Sequence, residues 1–341
     1  MKIDAFTHFL PPEYAARLDA LGDTPAARNI RTRISGIPAI ADLDLRLRQL
    51  EEFGDDYRQV ISLPAPPLED LGDAALGVEL SRIANEGMAE LVEQHPERFA
   101  QWVAALPLAD VDDAIEEARR AVRELGAAGV QTYTSVRGEA WDHPRWTPFF
   151  EAMAELDAMI WVHPTRNATW ADYPTEDRSR YEIWWTLGWP HDTAVFMARL
   201  VFSGLFDRLP DIKILTHHGG GTVPHLLGRL AGGWDQLGAR TPPEERADVE
   251  TQLQRRPVDY FRMFYGDTAL FGAPQSIATA LDFFGDERIL FASDSPFDPE
   301  KGPGYIRTTI ADLESLGLPD ESLERIYSGN AQRLLRIPVA S

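Results

Sequence analysis

Hydrophobic positions along the chain switch repeatedly between a two-residue period and a helical one. Residues 2–8, Tyr57–Leu63, Phe99–Leu106, Val130–Thr134, Ala158–His163, Ile212–His217, Met263–Gly266 and Arg288–Ser293 read as strands. Helical spacing lies between them. Leu43–Phe53 places Leu43, Leu47 and Leu50 on one face. Asp73–Gln94 is a long amphipathic segment, and Val111–Leu125 ends at Gly126. Thr147–Leu156 carries Pro148 in its first turn, where proline is tolerated. Further helices are expected at Asp192–Phe206, from about Val223, and at Ala273–Phe284. Three more follow the last strand, at Tyr305–Leu316, Asp320–Tyr327 and Asn330–Leu335.

Strands separated by helices imply a parallel sheet covered on both faces. Eight such units in 341 residues fit a closed (β/α)8 TIM barrel. The rival, a doubly wound sheet, would normally carry a glycine-rich turn after an early strand, and none is present. The expected fold is therefore α/β, one barrel domain over residues 1–341. Residues 20–42 fit neither helix nor strand, and are expected to form a small insertion near the barrel mouth. The helices after the eighth strand are C-terminal additions.

Charge narrows the partners. There are 54 acidic and 33 basic residues, a net charge of −21. That disfavours nucleic acid and anionic membranes, which need a basic face. No cysteine is present, so disulfides, thiolate metal sites and cysteine nucleophiles are excluded. No stretch has the apolar length of a membrane span, and the start resembles a strand rather than a signal peptide. A cytoplasmic protein is expected.

Chemistry gathers where the strands end. His8 closes the first strand, His163 the fifth, His217 and His218 the sixth, and Asp294 follows the eighth. In a barrel these ends converge on one mouth, where active sites are built. Imidazoles and a carboxylate brought together there suit one divalent ion, Zn²⁺ or Mn²⁺. Each residue also has an ordinary alternative. The histidines could be hydrogen-bonded core residues, and Asp294 could cap a following helix.

The motifs Ile3-Asp4-Ala5-Phe6-Thr7-His8-Phe9, Trp161-Val162-His163-Pro164, His217-His218-Gly219-Gly220-Gly221 and Phe291-Ala292-Ser293-Asp294-Ser295-Pro296 carry a resemblance over the whole chain. It is to the metal-dependent barrels of the amidohydrolase superfamily close to aminocarboxymuconate-semialdehyde decarboxylase. That resemblance implies His8, His163 and Asp294 as metal ligands. It implies His218 as general acid/base, with Asp294 also handling a proton. It implies Arg229 as a group reaching a neighbouring subunit's substrate, hence a homodimer or higher homo-oligomer. Phe6 stands where the family has the first histidine of a His-x-His pair, so one ligand is missing. Asp4 is a weaker substitute, two layers deeper on the same strand face. His217 is expected to face away from His218 by strand alternation and to serve packing.

Candidate substrate contacts are Phe6, Arg46, His191 and Trp189. The tryptophan-rich loop Arg166–Pro190 is long enough for a lid. The glycine run after His218 carries no lysine, so it is not read as a phosphate loop. The implied activity is non-oxidative decarboxylation of a small hydroxylated aromatic or unsaturated carboxylic acid. Two alternatives remain. One is hydrolysis of a carbon–carbon bond beside a ketone, as in a β-ketoacyl thioester. The other is a metal-free ligand-binding barrel.

Overall fold

The computed structural model describes residues 1–337, save the side chain of Asp248. Six parallel strands form a curled sheet in chain order: β1 Lys2–His8, β2 Tyr57–Ser62, β3 Phe99–Ala105, β4 Gly129–Tyr133, β5 Met159–His163 and β6 Ile214–Thr216. A parallel ribbon of β7 Gly266–Asp267 and β8 Ile289–Leu290 lies beyond them. Leu215 of β6 bridges to Tyr265 beside this ribbon. On the other flank, Ala5 N donates to Phe291 O at 2.8 Å and Asp294 N to Phe6 O at 3.1 Å.

Two apolar clusters explain why these segments become strands. Ile3, Ala5, Phe6, Val60, Val103, Met159, Trp161, Leu215, Leu290 and Ala292 pack together in one, all buried. A larger cluster joins the opposite strand faces to helices such as Ala74–Gln94, Val111–Arg123 and Thr147–Leu156. A strand buried on both sides needs apolar residues at nearly every position, as in Met159–His163. Trp161 belongs to this interior, and its indole donates to Ala5 O at 2.9 Å.

Several expected elements differ. Residues 20–42 are mostly ordered helix: Pro25–Gly36 is α-helical, and Pro38–Ile40 adds a 3-10 turn. Thr24 caps the first through its hydroxyl, which accepts from Ala27 N. The cap and Pro25 outweigh a polar sequence with weak apolar spacing. A further helix, Pro12–Asp19, also precedes Leu43–Leu50. The sixth strand ends at Thr216, one residue before His217. The helix expected from Val223 is instead a 3-10 turn, Pro224–Leu226, followed by a π-turn, Arg229–Gly233. Among the described residues, no helix is long and apolar enough to cross a membrane.

Candidate active site

The C-terminal strand ends carry the chemistry. His8 Nε2 lies 3.2 Å from Asp294 Oδ1, and His217 Nε2 lies 3.4 Å from the same oxygen. His8, His163 and His217 each offer a ligand atom within 4.8 Å of the others, and so do His217, His218 and Asp294. The imidazole centroids of His8, His163 and His217 are 5.4, 5.5 and 6.2 Å apart.

The ring orientations follow from backbone acceptors. His8 Nδ1 sits 3.2 Å from Leu63 O, His163 Nδ1 2.6 Å from Pro164 O, and His218 Nδ1 3.0 Å from Ala269 O. His217 Nδ1 lies 2.5 Å from Asp267 Oδ2. A carbonyl or carboxylate only accepts, so each Nδ1 carries a proton, and whenever the ring is neutral its Nε2 presents a lone pair. Metal-ligating histidines are commonly held this way. His8 Nε2, His217 Nε2 and Asp294 Oδ1 are buried with no hydrogen-bond partner. An unmet buried polar atom costs about 1–3 kcal/mol, so three converging ones form a site built for a further group. This donor set of imidazole and carboxylate fits a first-row divalent ion.

Electrostatics keep most of the cluster ready. Burial lowers the pKa of His8, and His217 lowers it further, against the pull of Asp294. His163 falls well below its ordinary value through burial and the neighbouring His8 and His217. His218 is pushed down to about 4 by burial and His217. All three are neutral at pH 7. Burial raises the Asp294 carboxyl, but the adjacent His217 and His8 imidazoles outweigh it and hold the group well below the usual carboxylate range. Burial alone would lower His217, yet Asp267 and Asp294 together raise it.

A cavity of about 570 Å³ opens above these groups. His163, His218 and Asp294 form part of its wall, with Trp184, Trp185 and Trp189 from the loop after β5 and Leu270, Phe271 and Phe297 opposite. Trp189 stacks with His218 at 6.3 Å and 10° and meets His163 edge-on at 5.2 Å. Among the described residues, Arg33 is the only arginine or lysine lining the cavity. Its Nη1 donates to Ala65 O at 3.1 Å, and its guanidinium lies 5.6 Å over the Phe297 ring. Burial lowers its pKa, against the opposing pull of Asp294. A larger surface hollow, about 760 Å³, lies between the helices Val111–Arg123 and Thr147–Leu156. It holds none of this chemistry.

The structure therefore brings His8, His163, His218, Asp294 and Trp189 together as expected, and adds Arg33 and His217. Arg33 lies on the helix in the segment that carries no clear pattern in the sequence, and no local signal marks it. His217 does not turn away. The strand has ended, and His218 adopts a left-handed backbone at φ 55°, ψ 51°, so alternation no longer applies. The glycines after it are sterically required. A Cβ on Gly221 would fall 2.4 Å from Pro190 O, and one on Gly220 2.8 Å from the Phe284 ring.

Other candidates are displaced. Arg46 is 1% exposed and does not line this cavity. Its guanidinium is taken up by Ala39 O (3.1 Å), Ser295 Oγ (2.7 Å) and His8 O, which ties together the backbone around the site. Phe6 is fully buried beneath the histidines, with its ring centroid 3.8 Å from His217 and 5.4 Å from His8. It supports the cluster rather than facing the cavity. His191 is exposed and belongs to a separate groove that also holds Arg229. Asp4 accepts from the Tyr57 hydroxyl at 2.6 Å and from Ser293 N at 3.0 Å. The register of β1 shifts between Asp4 and Thr7, so simple alternation does not carry Asp4 to the face of His8.

A curled parallel sheet with histidines and an aspartate at its C-terminal rim is the arrangement of a metal-dependent barrel enzyme. The family profile described as "Amidohydrolase" matches residues 3–337, and the chain belongs to that family. It is 31% identical to a gamma-resorcylate decarboxylase of Polaromonas sp., over 98% of each chain. It is 26% identical to a 2-amino-3-carboxymuconate-6-semialdehyde decarboxylase of Dictyostelium discoideum, over 98% of this chain and 91% of that one. A solved dihydroxybenzoic acid decarboxylase from Polaromonas sp., holding manganese and the inhibitor 2-nitroresorcinol, matches with a TM-score of 0.77 at 28% identity. That match covers 99% of this chain and 98% of the other.

Proposed function

We propose that this chain is a metal-dependent, non-oxidative decarboxylase of a small hydroxylated aromatic acid. The observation that carries the reading is a set of neutral imidazoles around an ionised carboxylate, with orphaned buried ligand atoms, at the base of an aromatic cavity holding one arginine. Two of the relatives named above are decarboxylases of hydroxylated aromatic acids, gamma-resorcylate and dihydroxybenzoic acid, and the second holds 2-nitroresorcinol as inhibitor. We infer further that the β7–β8 ribbon completes an eight-stranded barrel between β6 and β1.

His8, His163 and Asp294 would hold a divalent ion. Zn²⁺ and Mn²⁺ both suit the donors, and the manganese-bound relative favours Mn²⁺. When bound, the ion supplies Lewis-acid polarisation of the substrate carboxylate and its neighbouring hydroxyl.

The protein's own groups do the rest. Arg33 faces the cavity and pairs with substrate negative charge. Trp189 presents an aromatic face against which a ring can lie, and the wall of Trp184, Phe271 and Phe297 excludes water. His218 is neutral and presents its Nε2 lone pair. It accepts the phenolic proton and delivers it to the ring carbon bearing the carboxylate. The carbon–carbon bond then breaks, its electron pair returns to the ring, CO₂ leaves, and the phenolate takes a proton from water. Arg229 is exposed on the groove holding His191, so it would reach a substrate only across a subunit interface. Full activity in a monomer would remove that role.

The test is release of labelled CO₂ from carboxyl-labelled hydroxybenzoates, gamma-resorcylate first, by the Mn²⁺-loaded protein in deuterated water. Labelled CO₂ with one deuterium on the vacated carbon is expected. Binding without CO₂ release across the panel would overturn the reading.

A further inference from the structure

We propose that His217 is itself a metal ligand, recruited from the end of β6 to replace the histidine that Phe6 has removed from β1. This rests on the metal-centre reading above. Four observations converge. His217 is fully buried. Its Nε2 has no hydrogen-bond partner and shares a ligand-distance group with His8 and His163. Its Nδ1 is held by Asp267, a carboxylate–histidine pair of the kind that orients metal-bound imidazoles. Its ring stands directly on Phe6, at 3.8 Å between centroids.

The bland alternative is an ion pair that merely neutralises Asp267. Asp267 Oδ1 already accepts from Gly219 N at 3.0 Å and Ala269 N at 3.1 Å, so the carboxylate has partners of its own. An ion pair with Asp294, whose Oδ1 lies 3.4 Å from His217 Nε2, does not account for the same nitrogen standing at ligand distance from His8 and His163. The backbone serves the same end. Thr216 ends the strand, and the left-handed turn at His218 lets both consecutive imidazoles join the cluster. His217 then completes the ligand set, His218 remains free for proton transfer, and Asp267 is a positioning residue.

The experiment is Mn²⁺ titration, metal analysis and X-ray absorption on the full chain. The wild type is expected to bind one Mn²⁺ with three imidazoles. His217→Gln should weaken Mn²⁺ binding at least 100-fold while circular dichroism stays native. Asp267→Asn should weaken it about 10- to 100-fold. The double variant Phe6→His with His217→Gln should recover most of the loss, which a role in folding alone would not allow. Wild-type Mn²⁺ affinity in His217→Gln, or two imidazoles in the wild-type spectrum, would overturn the proposal and leave the metal centre standing. A wild type that takes up no Mn²⁺ or Zn²⁺ would overturn both.

Discussion

Replacing Arg46 by methionine separates a brace from a substrate anchor. The side chain is 1% exposed and ties the helix Leu43–Leu50 to the ends of β1 and β8 through Ala39 O, His8 O and Ser295 Oγ. Burial lowers its pKa from 12.5 to about 10, which corresponds to ~3 kcal/mol of desolvation cost for the charge. Against this stand three hydrogen bonds from a charged donor, each contributing about 1.5–3 kcal/mol. Methionine keeps the volume, removes the desolvation cost and orphans the acceptors. A net loss of about 3 kcal/mol is expected. Unfolding entropy of about 2.1 cal/mol/K per residue then makes the Tm fall by ~4 °C for a chain of 341 residues. Thermal melts followed by circular dichroism, with urea titration alongside, measure this directly. Arg46→Lys should fall between the two. A Tm within 1 °C of wild type, with a KM raised tenfold or more, would refute the brace and restore substrate binding.

Three other variants probe the cavity and the interior. His218→Gln should lower kcat by about 10²- to 10⁴-fold with metal content unchanged; metal loss in that variant would assign His218 to the ligand set instead. Arg33→Gln should raise KM about 10- to 100-fold, as expected for losing one charge-assisted bond of ~1.5–3 kcal/mol, and an unchanged KM would remove Arg33 from substrate binding. Glu69 is 2% exposed with both carboxylate oxygens unpartnered, and burial pushes its pKa from 4.5 up to about 7. Between those values the unfolded chain has released a proton that the folded chain retains, so this group costs stability as pH rises. Glu69→Gln should therefore stabilise the protein by up to ~3 kcal/mol above pH 7 and by nothing below pH 4.5; a gain independent of pH, read from urea titrations, would refute that assignment.

Strand positions were legible because apolar period and burial are coupled: a strand covered on both faces must be apolar throughout, as Met159–His163 is. The placement of His8, His163 and Asp294 followed from the same logic, since parallel strands put their C-terminal ends at one rim. Those facts are local, and the sequence by itself determined them. Its resemblance also named the family and marked Phe6 as a departure. Only the tertiary structure decided where His217, Arg33 and Arg46 go. The direction of His217 depends on a strand ending one residue early and a left-handed turn, enforced by Pro190 and Phe284 packed against the glycines. Arg33 reaches the cavity from a helix that the sequence reading did not mark, because its neighbours in space, Ala65 and Phe297, lie on the loops after β2 and β8. Arg46 has the helical spacing of a solvated residue, yet its partner Ser295 is 249 positions away. Contacts over such separations leave no periodicity in the chain, so they become visible only when the strand ends are brought to one rim.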